Sequence, residues 1–204
     1  MKPKIICISG GSGSGKTFLS KNIINTFTKR KTVLIQQDAY YKDLSHLKFE
    51  ERINNNFDHP ESIDINLLEK QIKKLSKGKN INIPMYDFTK HIRLKNTNYI
   101  SNANLIIVDG IFALYYKQLH KFYSIKIYIE TPKEIRLQRR INRDISKRGR
   151  SLKSIINQYN ETVLPMHETF IMPSKKHADI IINGDNTINK IMKILKPKID
   201  SIIL

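Results

Sequence analysis

A lysine and a threonine close a glycine-rich stretch near the start of this 204-residue chain. Residues 10–17 read GGSGSGKT, which fits the pattern G-x-x-x-x-G-K-[ST], follows an apolar run and precedes a helical pattern. Main-chain N–H groups of such a loop converge on phosphate oxygens, while Lys16 reaches the terminal phosphates and Thr17 offers its hydroxyl to Mg²⁺. The sequence therefore predicts a nucleotide-phosphate site whose loop residues are Gly10, Gly11, Ser12, Gly13, Ser14 and Gly15.

Two aspartates that follow apolar runs could complete a metal and proton-transfer site. Asp109 ends the run LIIVD, and Mg²⁺ can bind one carboxylate together with phosphate oxygens. Asp38 follows the second apolar run, so it would lie at the edge of the sheet where open α/β folds bind ligands. There it could accept a proton from an attacking hydroxyl or hold a metal-bound water. Either aspartate could instead be a turn former, Asp109 because Gly110 follows it.

Two further segments carry side chains suited to an organic acceptor. In NNFDHPE, Asp58 precedes a locally stiff His-Pro pair, and its carboxylate could accept two hydrogen bonds from a cis-diol. Farther along, Tyr86, Phe88 and His91 surround a turn and could stack on a flat heterocycle and form hydrogen bonds with it. The alternatives are a plain Asx turn at Asp58 and an ordinary surface hairpin around Tyr86.

A strongly basic helix is predicted over residues 132–147, with Pro132 in its first turn. Gly149 ends it, which leaves Arg148 and Arg150 on a mobile turn; we expect a basic lid over about residues 143–158 that closes on transferring phosphate. A solvated basic face is the alternative. At 3.6 residues per turn one face is basic and the other packs: the basic residues are Arg136, Arg140, Arg143 and Lys147, and the apolar ones Leu137, Ile141 and Ile145.

The elements that must position these side chains alternate between strands and helices. We predict strands at 5–9, 32–37, 105–108, 125–129 and 179–182, and helices at 16–28, 65–76, 132–147, 152–170 and 186–203. This alternation predicts an α/β fold with a parallel five-stranded sheet and helices on both faces, and the motif at residues 10–17 makes it one of the P-loop NTPase type. Residues 78–101 predict an inserted β-hairpin, and residues 1–204 are expected to form a single domain.

The charge, the cysteine content and the apolar stretches of the chain bear on its partners and its cellular location. The formal charge of +18 would favour a polyanionic partner, but the lysines are spread along a Lys-, Asn- and Ile-rich chain, so we do not expect a nucleic-acid partner. The single cysteine, Cys7, lies in an apolar run and is expected to be a small buried hydrophobe. No apolar stretch approaches membrane-spanning length, so we expect a cytoplasmic protein without a membrane partner.

Seven segments in this order resemble the uridine kinase (uridine–cytidine kinase) family of P-loop nucleoside kinases. They read GGSGSGKT, QQDAYYKD, NFDHPESID, IPMYDFTKHIR, VDGI, RRINRDISKRGR and HADIII, and the similarity covers nearly the whole chain. The resemblance implies phosphorylation of uridine and cytidine to UMP and CMP. It also implies Mg²⁺, ATP or GTP as the phosphate donor, and a homotetramer.

The resemblance also implies a role for each candidate residue. Asp38 would be the base that deprotonates the nucleoside 5′-hydroxyl and, like Thr17 and Asp109, would lie near the metal. Asp58 would hold the ribose diol with Arg150 nearby. The other implied roles are catalysis by Lys16 and Arg143, pyrimidine recognition by Tyr86 and His91, contact with the substrate and the transferring phosphate by Arg140 and Arg143, donor binding by Arg148, and support of the nucleoside pocket by Tyr41 and Gln158.

Two departures from the family pattern leave details open. Asp109 stands where relatives commonly have the glutamate of an EGI motif, so its shorter side chain could reach Mg²⁺ through a water. Residues 183–185 read NGD, whereas relatives often have Pro-Arg-Gly, which leaves the preference between ATP and GTP open.

Other functions compete with the nucleoside kinase interpretation. A related P-loop kinase of the phosphoribulokinase or pantothenate kinase type would use a different acceptor, but it would give the hairpin residues Tyr86 and His91 no base to stack on. A basic nucleic-acid-binding module with an ATP switch would explain the +18 charge, but not Asp38, Asp58 or the hairpin. Steep salt dependence of RNA or duplex binding would favour that module.

Overall fold

Five parallel strands form the central sheet in the computed structural model, which describes residues 2–28 and 30–203. The predicted five-stranded parallel sheet is therefore confirmed. Met1, Lys29 and Leu204, which the predicted domain over 1–204 includes, lie outside the described residues. The strands are β1 (Lys4–Gly10), β2 (Thr32–Gln36), β5 (Leu105–Asp109), β6 (Ile125–Glu130) and β7 (Ile180–Asn183), in the spatial order β2-β5-β1-β6-β7.

Helices cover both faces of this sheet, because successive strand residues point to opposite sides. On one face Cys7 and Val108 are buried against helix α3 (Ile65–Leu75) and against short α4 (Lys117–His120). On the other face Ile6 and Ile8 are buried against α1 (Lys16–Thr26) and α9 (Ile188–Ile203). Burial on both sides explains why the strands are apolar at consecutive positions.

The predicted hairpin is present outside this sheet. Strands β3 (Ile81–Asp87) and β4 (Ile92–Ile100) pair antiparallel, with a register shift between Pro84 and Met85. A bulge tolerates proline because one ladder hydrogen bond is already missing there. At the turn, His91 has a left-handed φ of 52°, and the Asp87 carboxylate accepts hydrogen bonds from the main-chain N–H groups of Thr89 and Lys90.

Helix α5 (Lys133–Arg148) confirms the predicted basic helix and corrects its start. Pro132 has extended backbone angles (φ −52°, ψ 146°) and is the N-cap, so it stands outside the helix and not in its first turn. Gly149 has a φ of 62° and caps the C-terminus in the left-handed conformation that glycine adopts without steric cost.

The helix predicted over 152–170 is longer and less regular than expected. It alternates between α and π geometry and continues to residue 177. Pro165 and Pro173, which lack an N–H donor, each follow a π segment whose wider turn removes the need for that hydrogen bond. The segments are α6 (Leu152–Gln158), π-helical Tyr159–Val163, α7 (Leu164–Met166), π-helical His167–Ile171, α8 (Met172–Ser174) and 3₁₀-helical Lys175–His177.

Three short elements complete the fold: α2 (Phe49–Ile53) and the 3₁₀ turns Gln37–Tyr40 and Pro60–Ser62. None of the helices within residues 2–28 and 30–203 combines the length and the apolar character needed to cross a bilayer.

Candidate active site

A cavity of about 500 Å³ lies at the carboxyl ends of the parallel strands. The phosphate loop follows β1, Asp38 follows β2 and Asp109 ends β5. The hairpin and the arginines of α5 supply further walls, so segments distant in sequence meet in one place. Predicted site residues that line the cavity are Ser12, Asp38, Tyr41, Asp58, Tyr86, His91, Arg140, Arg143, Arg148, Arg150 and Gln158.

The glycine-rich loop adopts backbone angles that few other residues accept. Gly13 (φ 79°) and Gly15 (φ 101°) are left-handed, and a side chain at Gly13 would also meet the carbonyl of Arg136. Gly15 is the N-cap of α1 and has no side chain to cap the helix, so the N–H groups of its first turn remain available for an anion. Within the loop, the Lys16 Nζ donates to the Gly11 carbonyl at 3.0 Å.

A carboxylate and a hydroxyl meet beside this loop. Thr17 Oγ1 donates to Asp109 Oδ2 at 2.8 Å, and Asp109 is 4% exposed. Burial raises the pKa of Asp109 to about 6, although the charge of Lys16 opposes this shift. A cation bound next to a buried carboxylate stabilises its ionised form, which burial alone disfavours. The oxygens of Thr17 and Asp109 therefore fit Mg²⁺. The described residues include no cluster of three His, Cys, Asp or Glu side chains that could hold a metal, so nucleotide phosphates would supply further ligands.

Aromatic rings form another wall of the cavity. Phe57 stacks on His91 with ring centroids 4.9 Å apart and planes at 20°, and Tyr41 contacts both Phe57 and Tyr86 at 5.2 and 5.3 Å. The hydroxyl of Tyr86 is buried and has no hydrogen-bond partner within the described residues. Burial and the charge of Arg148 lower the pKa of His91, so its imidazole is neutral near pH 7. The wall therefore offers stacking surface and unused hydrogen-bonding groups.

Phe57 was not among the candidates from the sequence, although it precedes Asp58 in a motif that was. The Asx turn considered for Asp58 is made by its neighbour, since Asn56 Oδ1 accepts from the Asp58 main-chain N–H at 3.0 Å. Burial raises the pKa of Asp58, and Arg140 opposes this shift. Its carboxylate is thus a buried acceptor on the cavity wall.

Four arginines surround one buried carboxylate, which the sequence analysis did not single out. Asp144 is fully buried, and burial would raise its pKa, but the hydrogen bond from Arg143 and the nearby charges lower it. The only signal in the sequence was an acidic residue inside the basic run RRINRDISKRGR. The distances to its oxygens are 2.8 Å from Arg143 Nε, 3.5 Å from Arg140 Nε, 3.5 Å from Arg148 Nη1 and 4.0 Å from Arg150 Nη1.

Gln158 ties this arginine cluster to helix α6. Its Oε1 accepts from Arg140 Nη2 at 2.8 Å and also from Arg150 Nη1. Arg140 Nη1 in turn donates to the Ser12 hydroxyl at 3.0 Å, and the Arg148 guanidinium lies 5.3 Å from the centroid of Phe88 in the hairpin. These contacts join the phosphate loop, the predicted lid and the hairpin.

Burial along α5 does not separate the basic residues from the apolar ones as predicted. Arg136 and Arg140 are buried, whereas Ile145, from the apolar stripe, is 48% exposed. The reason is that each buried guanidinium has partners from other segments: the Thr131 carbonyl accepts from Arg136, and Gln158 accepts from Arg140. The predicted separation of a basic face from a packing face was therefore wrong, because Leu137 and Ile141 are half-buried while Arg136 and Arg140 are buried.

Asp144→Asn tests how much the arginine cluster depends on its one counter-ion. The variant keeps the side-chain volume but leaves four guanidinium groups without a carboxylate. We expect its free energy of unfolding to be about 3 kcal/mol lower than that of the parent, which is the usual cost of breaking a buried ion pair. Thermal unfolding would then shift by roughly 6–12 °C in a chain of this size.

Asp200→Asn is the matched control for this prediction. It removes an exposed pair with Lys196 at 2.8 Å on α9, for which we expect less than about 1 kcal/mol. Equal melting temperatures for the two variants would show that Asp144 does not stabilise the cluster.

Two buried side chains stand directly behind the phosphate loop. A Cβ built on Gly11 would lie 2.6 Å from Arg136 Nη1 and 2.9 Å from His167 Nδ1, so a larger residue there would displace these side chains. Burial, reinforced by the charge of Arg136, lowers the pKa of His167 to about 4. Sequence reasoning missed His167 because nothing in its helical segment sets it apart from a surface histidine.

The lowered pKa of His167 predicts a pH dependence of stability. As the pH falls below about 6.5 the unfolded chain binds a proton at this residue before the folded chain does, so the folded state loses stability down to about pH 4. The loss from this group is about 3 kcal/mol at most. Chemical denaturation at several pH values should show this loss in the parent and a smaller one in His167→Gln.

The exposed His46→Gln variant controls for the removal of one histidine. If the free energy of unfolding of His167→Gln falls between pH 6.5 and 4 as steeply as that of the parent, His167 is not the source of the pH dependence.

These features define a class of protein: a P-loop phosphotransferase, with a phosphate loop between β1 and α1, a carboxylate beside its threonine and a second pocket for an acceptor. The chain belongs to the phosphoribulokinase/uridine kinase family, whose model matches residues 5–189.

Relatives agree with this membership. The chain is 49% identical to the uridine kinase of Clostridium tetani over 181 residues, which are 89% of this chain and 87% of that protein. It is 45% identical to the uridine kinase of Staphylococcus epidermidis over 199 residues, which are 98% and 96% of the two chains.

Solved structures share the fold at low sequence identity. The D-glycerate 3-kinase of Cryptococcus neoformans has a TM-score of 0.69 and 14% identity, with 91% of this chain and 88% of that chain covered. The phosphoribulokinase of Rhodobacter spheroides has a TM-score of 0.66 and 16% identity, with 91% and 73% covered. At these identities the likeness concerns the fold alone.

Proposed function

We propose that this protein phosphorylates the 5′-hydroxyl of uridine and cytidine, giving UMP and CMP, with ATP or GTP as donor. The observation that carries the proposal is the cavity in which Ser12 of the phosphate loop, Asp38 and an aromatic wall meet. Relatives named uridine kinase at 43–49% identity over most of the chain support the same activity.

The acceptor half of the proposal rests on the aromatic wall and Asp58. A pyrimidine ring would stack beside Phe57, with Tyr86 and His91 supplying hydrogen bonds to its polar edge. A ribose diol would donate to the Asp58 carboxylate, which lies close enough to Arg140 for their charges to interact. An acceptor without a base, such as a sugar phosphate, would leave the buried Tyr86 hydroxyl unpaired.

The donor half rests on the loop and the arginines. Lys16 would bind the terminal phosphates of the donor, and Thr17 and Asp109 would hold Mg²⁺, which neutralises phosphate charge when bound. Arg143 and Arg148 would stabilise the negative charge that develops on the phosphoryl group during transfer. The protein would contribute position and charge, with no covalent intermediate.

Asp38 is proposed as the general base. It lies in the 3₁₀ turn Gln37–Tyr40 that follows β2, on the cavity wall, and its charge acts on both Lys16 and Asp58. A carboxylate whose charge acts on the loop lysine and on the proposed diol ligand would accept the proton of the attacking hydroxyl. We further propose a cytoplasmic location and, from the family resemblance, a homotetramer.

A substrate panel tests the proposal directly. The purified protein is incubated with Mg²⁺, ATP or GTP, and one of uridine, cytidine, adenosine, ribulose 5-phosphate or pantothenate, and products are separated by chromatography. We expect UMP and CMP and little product from the others. Phosphorylation of ribulose 5-phosphate or pantothenate without that of uridine would refute the proposed acceptor.

His91→Ala tests the assignment of acceptor recognition to the hairpin. Loss of the imidazole removes the stack on Phe57 and one hydrogen-bonding edge in a closed pocket, which costs about 1–3 kcal/mol. We expect the Kd for uridine to rise by about 10- to 100-fold and the Kd for an ATP analogue to stay near the parent value, both by calorimetry. The exposed His46→Ala variant is the control, and an equal loss for both ligands would make the hairpin structural.

A further inference from the structure

A second cavity, of about 550 Å³, lies behind the phosphate loop on the side of strands β6 and β7. Gly11 forms part of its wall, so one backbone segment borders both cavities. Asn183, in the segment 183–185 that bears on the choice of donor, lies on this wall, but Arg136 and His167, which also line the cavity, have no role in the proposed reaction.

Arg136 brings a buried positive charge to this cavity. It is 4% exposed, its Nε donates to the Thr131 carbonyl at 3.1 Å, and its Nη1 is buried without a hydrogen-bond partner. Among the described residues no carboxylate lies within 4.0 Å of its guanidinium, in contrast to the neighbouring Arg140 and Arg143. A charge removed from water without a counter-ion is costly, and an anion would offset that cost.

His167 supplies a second polar group at the same place. It is 8% exposed and its Nδ1 is also buried without a partner. Because this atom and Arg136 Nη1 both lie within 3 Å of one point beside Gly11, the two groups converge. A neutral imidazole can place its proton on Nδ1 and donate to an oxygen that the guanidinium also binds.

The remaining walls favour a small ligand that carries one anionic group. The Glu130 carboxylate at the cavity is paired with Lys175 at 2.6 Å, so its charge is compensated. Tyr128, Met172 and Ile181 give apolar surface, and Ile181 is 52% exposed in the edge strand β7.

We propose that this cavity binds a small oxyanion, a carboxylate or a phosphate, through the guanidinium of Arg136 and the imidazole of His167. The site is distinct from the first cavity, although Gly11 of the phosphate loop borders it, and the proposal does not depend on which acceptor the enzyme phosphorylates. A bidentate or shared contact to an ionised oxygen would satisfy both buried nitrogens.

Histidine NMR can observe this site in the full chain. The protein is labelled with ¹³C at histidine Cε1, its phosphate loop is filled with Mg²⁺ and a non-hydrolysable ATP analogue, and the His167 signal is assigned by its loss in His167→Gln. Acetate, inorganic phosphate and chloride are then titrated at matched ionic strength. We expect a saturable shift of the His167 signal with acetate or with phosphate, and none with chloride.

Variants locate the effect. Arg136→Met keeps an unbranched side chain and removes the charge. It should raise the Kd of the anion by about 10- to 100-fold, as expected for the loss of a charge-assisted hydrogen bond. Lys133→Met removes one charge from an exposed position on the same helix and should bind the anion like the parent.

The outcomes separate the two sources of oxyanion. Saturation by acetate alone assigns a carboxylate ligand, and saturation by phosphate alone assigns a phosphate. The proposal is overturned if neither acetate nor phosphate gives a saturable shift, or if the anion binds Arg136→Met with the affinity of the parent. If Arg136→Met does not fold, the comparison of both anions with chloride in the parent still decides it.

Discussion

Replacing Asp38 by asparagine is expected to lower kcat for uridine phosphorylation by about 10²–10⁴, the range for a positioned acid–base group. The substitution keeps size and shape and removes only the ability to take the proton. Asp38 lines the cavity at the end of β2, in the same space as the proposed diol ligand Asp58. Because the group acts chiefly in the transition state, the affinities for uridine and nucleotide should change little.

Steady-state kinetics and calorimetry on Asp38→Asn, beside the half-buried Asp200→Asn control on α9, check this result. A loss confined to KM would mean that Asp38 binds substrate and transition state equally. The same variant addresses a nucleic-acid-binding module, in which removal of a negative charge should leave RNA binding unchanged or stronger. Turnover at the parent rate would reject Asp38 as the base while leaving the kinase activity itself in place.

Lys16→Ala should reduce phosphoryl transfer by about 10²–10³ or more, because it removes a preorganised donor aimed at developing charge. Lys16 is the only charged side chain within the loop, and its Nζ is held at the Gly11 carbonyl. Desolvation lowers the pKa of Lys16, and the charges of Asp109 and Asp38 oppose this shift. Because burial of the ammonium group costs free energy, we expect the fold to remain intact when the Lys16 side chain is removed.

Single-turnover measurements at saturating ATP, with circular dichroism to verify folding, provide the test. Lys21→Ala, at an exposed position on the same helix, is the matched control and should turn over like the parent. A folded Lys16→Ala protein with near-normal turnover is incompatible with the phosphate loop as assigned.

The catalytic edge of the sheet could be predicted because its signals are local. A carboxylate after four apolar residues and before a glycine indicates the end of a buried strand, and β5 does end at Asp109. The glycine pattern likewise predicts its own turn, since Gly13 and Gly15 adopt φ angles that L-residues avoid. The hairpin followed from alternation and turn residues over 78–101, close to the observed strands Ile81–Asp87 and Ile92–Ile100.

Helix α5 could not be predicted in the same way, because periodicity defines two faces without saying which one is buried. Burying Arg140 requires partners from other parts of the chain, here Ser12 and Gln158. Asp144 was hidden for the same reason, since its importance comes from side chains that only the folded helix and its following turn bring within 4.0 Å. The π segments depend on how Pro165 and Pro173 are accommodated, which a 3.6-residue period does not encode.

The buried Asp144 has a consequence for how fast a nucleotide arrives. Four arginines and one aspartate leave this wall of the cavity with a net charge of +3. A patch of one sign in a cleft attracts polyanions during diffusion and raises their association rate at low ionic strength. Because the carboxylate holds the arginines together, the triphosphate meets a fixed field, and its rate of capture depends on the surrounding salt.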